Sequence, residues 1–178
     1  MTMIQLTLLE AAQLKLARGR ISLPRAALAF ALCGESNQAK KLLDEIGKRF
    51  PADTLINELW RPAIRAALEL QRGSAEQAVD QLQSTSRYEA AAEFWPPYLR
   101  GQAYLKLKKS AEAAAEFQRI LGHHGYAPLS PLYPLAQLGV ARATQSRKAY
   151  DGFLTLWKDA DAELPQLLTT RKEAEGSE

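Results

Sequence analysis

The chain has 178 residues, enough for one domain with a real core or one short repeat array. Its 47% hydrophobic and 24% charged content is that of an ordinary globular protein, and a net charge of +3 from 23 basic and 20 acidic residues is too even for a dedicated nucleic-acid binder. No apolar run reaches the ~20 residues of a membrane span, the first twenty residues lack the marks of a signal peptide, and the single Cys33 excludes an internal disulfide; the expectation is a cytoplasmic chain with neither a nucleic-acid nor a membrane partner.

Ala, Leu, Glu, Gln, Lys and Arg dominate, and Val/Ile/Thr alternation is nearly absent, so the fold class is all-α. In chain order, helices are expected over Gln5–Arg18, Pro24–Cys33, Asn37–Arg49, Thr54–Gln71, Ala75–Gln83, Trp95–Leu107 and Ala111–Leu121. Asp53-Thr54 and Ser74 read as N-caps, and Gly34, Gly73 and Gly122 as stops. Pro62 should kink or restart its helix. Gly122–Pro134 is rich in Gly and Pro and reads as a loop. Between Ala143 and Ala149 no Gly or Pro sets off a turn, so Leu135–Lys158 is expected to run as one continuous helix, with a last helix over Leu164–Lys172 and a frayed end.

Three segments share one spacing: Ala26–Pro51, Arg65–Ser84 and Arg100–Gly122. Each has a small residue in its first helix (Ala27, Ala66, Gly101) and a polar turn position (Gly34, Gly73, Lys108). Five residues past the turn stands an Ala (Ala39, Ala78, Ala113), and four beyond it a large apolar residue (Leu43, Leu82, Phe117). Gly139 marks a fourth first helix. Antiparallel helices approach closely where small residues cross, and a large residue one turn on fills the gap to the next pair. No such pair buries its apolar face alone; stacking does.

This pattern resembles the tetratricopeptide repeat, carried by Gly101 and Tyr104 in the third copy, Phe30 and Gly34 in the first, and the helix-ending Phe50-Pro51, over roughly Ser22 to Trp157. Lys108 and Glu69 depart from it. The runs RPAIRAALELQRGSAEQAVDQLQ and FLTLWKDADAELPQL resemble more narrowly the repeat region of some bacterial serine/threonine kinases and winged-helix regulators. The resemblance implies one tandem helix–turn–helix domain, an α-solenoid over residues 1–178, with repeats near 22–51, 54–84, 95–122 and 132–158 and an atypical, truncated last repeat before a C-terminal helix and tail over 161–178. It also implies that the first helices line a concave face.

The residues offer no enzyme. Neither GxxxxGK[ST] nor GxGxxG occurs, the kinase HRD and DFG motifs are absent, and two adjacent histidines, His123 and His124, with one cysteine make no metal site. No cofactor is expected. Trp60, Trp95 and Tyr133 each stand six residues before a small crossing residue, at the entrance of the implied groove. Arg25, Ile64, Tyr98, Gln102, Lys106 and Gln137 complete the candidate lining for a protein or peptide partner; packing between repeats is the competing role for the aromatics. On a straight last helix, Tyr150, Phe153, Leu154 and Trp157 form an apolar face that needs a cover, either the tail around Leu164, Leu167 and Leu168 or a second copy in a homodimer, so self-assembly is the alternative function.

Overall fold

The computed structural model describes residues 18–126 and 129–177; all but the last residue of the expected helix Gln5–Arg18 lie outside them. Among the described residues there are nine α-helices and no strand. The chain forms two compact units, Met1–Ala92 and Glu93–Glu178. In the first, α1 (Ser22–Leu32) packs on α2 (Ser36–Arg49) and on α3 (Arg61–Arg72), which pairs with α4 (Ala75–Gln81). In the second, α6 (Ser110–Leu121) packs against both α5 (Trp95–Lys106) and α7 (Leu132–Thr144), followed by α8 (Arg147–Leu156) and α9 (Pro165–Glu175). No helix among the described residues is long and apolar enough to cross a membrane.

Each of the four helical pairs turns on one left-handed residue: Gly34 (φ 82°), Gly73 (φ 84°), Lys108 (φ 58°) and Gln145 (φ 49°). The first three close with the same backbone bond, the residue after the turn donating to a carbonyl five back: Glu35 to Phe30, Ser74 to Glu69 and Lys109 to Tyr104, each 2.9 Å. That is the Schellman closure, which satisfies carbonyls a helix end leaves open. The expected crossing residues Ala39, Ala78 and Ala113 are all fully buried.

The single helix expected over Leu135–Lys158 is not formed. Gln145 takes the left-handed conformation without a glycine, and α8 folds back from Arg147. A non-Gly residue there costs about 1–2 kcal/mol. Burial of Tyr150 and Phe153 offsets it, each side chain contributing roughly 1.5–3 kcal/mol. These two pack with Leu138, Ala141, Leu167 and Ala174, with Leu154, Trp157 and Leu164 around them. Of the four residues considered for a dimer face, Tyr150 and Phe153 are buried and Leu154 and Trp157 half-buried against this cluster, to which α9 contributes Leu167 and Ala174. Arg142 ties α7 to α9 through a two-pronged ion pair with Glu173, at 2.9 and 3.1 Å. The turn comes six residues after Gly139, against seven in the other pairs. One residue is about 100° of helix rotation, so α8 leaves on a different side of its partner.

The helix expected over Thr54–Gln71 does start at Thr54, but its coil widens into a π-helical turn over Ile56–Trp60 before α3. Pro62 has no N–H for the Glu58 carbonyl, and the Ser84 hydroxyl reaches that oxygen instead, at 3.5 Å. Asp53 does cap this segment, accepting from the Ile56 N–H at 3.0 Å, whereas Ser74 makes no side-chain cap.

Lys108 and Gln145 predict a stabilising change. Lys108→Gly and Gln145→Gly should each raise stability by up to about 1 kcal/mol, the relief of left-handed strain exceeding the added freedom of the unfolded chain. Urea denaturation midpoints check this; a lower midpoint in both variants contradicts it.

Candidate functional site

The second unit is built around Phe117, which is fully buried. Its ring lies between the backbones of α5 and α7: a Cβ placed on Gly101 would meet it at 2.7 Å and one on Gly139 at 2.6 Å. Neither helix could carry even an alanine there without moving the ring. Beside this contact Arg100 pairs with Glu116 at 2.9 Å, with both side chains nearly buried, which ties α5 to α6 a second time.

This packing sets the orientation of α5. Pro96, Pro97, Leu99, Arg100, Gly101 and Ala103 face inward. Trp95, Tyr98 and Gln102 remain half-buried and Lys106 exposed, so these four predicted groove residues keep accessible surface on one helix. Trp95 meets Tyr98 edge-on with ring centroids 5.8 Å apart, and Tyr98 meets Phe117 at 6.1 Å. Tyr98 is half-buried as a residue, and burial pushes the pKa of its hydroxyl above the ordinary value, opposed by Arg142.

The other predicted groove residues fall elsewhere. Ile64 is fully buried, because α3 is apolar around most of its circumference. Trp60 is 8% exposed, so it is part of the core of the first unit rather than of an open face. Tyr133 is also buried; its hydroxyl donates to the His123 carbonyl at 2.8 Å and its ring meets that of His124 at 4.3 Å. Both histidines thus belong to loop packing; the His123 Nδ1 faces the Arg119 carbonyl at 2.7 Å, so that nitrogen carries the proton. Arg25 is exposed and shares a pocket of about 180 Å³ with Arg20, Ile21, Leu55, Ile56, Trp60 and Ala91, which brings two of the predicted residues, Arg25 and Trp60, together within the first unit.

Gln137 opens onto a cleft of about 190 Å³ lined by Leu121, Val140, Ala149, Gly152 and Phe153. Its Oε1 is buried without a hydrogen-bond partner, a state that costs about 1–3 kcal/mol. This cleft was missed in the sequence, because Gly152 lies inside the helix expected over Leu135–Lys158, where a glycine carries no sign of an open groove. Nothing would touch a Cβ on Gly152, so this glycine leaves open space rather than close contact.

No protein-family model matches the chain, and no curated protein or solved structure is significantly similar to it. Among the described residues no three His, Cys, Asp or Glu side chains are grouped to hold a metal ion.

The Tyr98 hydroxyl makes stability depend on alkaline pH. The fold favours the neutral phenol, so this contribution is complete below the unfolded value near 10 and is lost as pH rises through the higher folded value. Tyr150 is shifted the same way, by burial and then by Glu173. Tyr98→Phe should therefore reduce, without abolishing, the fall in urea midpoint between about pH 9 and about pH 11. An unchanged fall contradicts burial of the hydroxyl.

Proposed function

We propose that the chain is a tetratricopeptide-like array that holds a protein or peptide partner and catalyses nothing itself. The observation that carries this reading is the row on α5. Trp95, Tyr98 and Gln102 stay half-buried and Lys106 exposed on a helix whose Pro96, Pro97, Leu99, Arg100, Gly101 and Ala103 are buried. Aromatic rings offer anchoring area with few torsions to freeze, a glutamine amide pairs with peptide main chain, and a lysine pairs with a carboxylate. The partner this row suits is an extended peptide with an apolar anchor and an acidic group.

The array reading is supported by the common left-handed turn, by the three buried crossing alanines and by Phe117 set between Gly101 and Gly139. Cys33, half-buried and unbridged, suits a reducing compartment such as the cytoplasm. A role in bacterial signalling rests on the sequence resemblance alone.

Selection from a displayed peptide library tests the reading. Peptides retained by the native chain should lose about tenfold or more in affinity to Lys106→Glu and to Gln102→Ala, with helical circular dichroism unchanged. Peptides that bind both variants as tightly as the native chain contradict the α5 face.

A further inference from the structure

A cleft of about 790 Å³ lies where α7 ends, α8 begins and α9 ends, lined by Thr144, Gln145, Ser146, Tyr150, Glu173 and Ser177. A volume of that order is usual for a small-molecule site. The protons of its side chains are largely spent inside the protein. Thr144 Oγ1 donates to the Val140 carbonyl at 2.9 Å, and Ser177 Oγ to the Ala174 carbonyl at 2.8 Å. The Tyr150 hydroxyl faces the Glu173 carboxylate, which can only accept. These oxygens therefore offer lone pairs, and of the lining side chains only the Gln145 amide and the Ser146 hydroxyl keep a proton to give.

The backbone adds to this. Two helix C-termini, those of α7 and α9, meet the cleft against one N-terminus, that of α8, and each C-terminus carries about half a negative charge. The bond that closes the first three turns has no counterpart at Gln145 among the described residues, so the last carbonyls of α7 stay open. The arginines nearby are matched by carboxylates, Arg142 by Glu173 and Arg147 by Asp151. We infer that this cleft binds an organic cation bearing a primary ammonium group, whose N–H bonds are taken by the oxygens of Thr144, Ser177 and Glu173. A free aliphatic polyamine and a lysine side chain of another polypeptide both carry that group. The chain's net charge is +3, so such a cation is held by the site and not by the overall field. The cleft shares no residue with the α5 row, and peptide capture there stands or falls separately.

Isothermal titration of the full chain with spermidine tests this. Binding should saturate, and two controls should bind about tenfold more weakly or worse: tetramethylammonium, a cation without an N–H, and glucose, a neutral donor and acceptor. Thr144→Val and Ser177→Ala should each weaken spermidine binding about tenfold, the effect of one hydrogen bond to a charged group. Their urea midpoints should stay near the native value, which separates loss of the site from loss of fold. Nα-acetyl-lysine amide distinguishes the two sources. Binding as tight as that of spermidine assigns the cleft to a lysine of another polypeptide, and weaker binding assigns it to a free polyamine. The inference is overturned if neither amine binds saturably, if tetramethylammonium or glucose binds as tightly as spermidine, or if both variants bind spermidine as the native chain does.

Discussion

The ring of Phe117 occupies space that two missing side chains leave on either side of it. Glycine in the middle of a helix is unfavourable, by roughly 0.5–1 kcal/mol relative to alanine, and this unit carries two. Gly101 and Gly139 are retained in helix interiors where only the absence of a Cβ lets α5 and α7 close on one ring. Full burial of a phenylalanine contributes about 1.5–3 kcal/mol, enough to offset the pair. The geometry follows from this contact. With α6 held between α5 and α7 by its own side chain, the rotation of α5 is set, and with it which of its residues stay in reach of a partner.

The same spacing explains how much was legible in the residues themselves. Small residue, turn, alanine and large apolar residue recur at intervals readable without coordinates, and the burial of Ala39, Ala78 and Ala113 follows from them. Lys108 was placed at a turn by its position alone, and the backbone is left-handed there, as at Gly34 and Gly73. The accessible row of α5 was read by helical spacing from Trp95, which Tyr98, Gln102 and Lys106 continue along one side, and each of the four keeps some accessible surface.

What was not legible depended on events that leave no composition signal. Gln145 turns the chain without a glycine, because burial of Tyr150 and Phe153 outweighs a local cost of about 1–2 kcal/mol. Local propensity therefore argued for a straight helix where tertiary packing makes a hairpin. At the π-helical turn before Pro62, a hydroxyl 26 residues away, that of Ser84, donates to the Glu58 carbonyl that the proline cannot serve. Tyr133 had the spacing of a groove aromatic, but a carbonyl within reach of its hydroxyl drew it into the loop packing.

The central claim is that Phe117 and the two glycines act as one unit, and a double-mutant cycle measures it most directly. Gly139→Ala in an ordinary helix interior would stabilise by roughly 0.5–1 kcal/mol. Here the account predicts the opposite sign, a loss of about 1–3 kcal/mol from overpacking against the ring. In a Phe117→Leu background, where the ring is gone, the same change should turn neutral or stabilising, giving a coupling energy of about 1 kcal/mol or more. If Gly139→Ala stabilises the native chain, or its effect is the same in both backgrounds, the ring is not what holds these helices together.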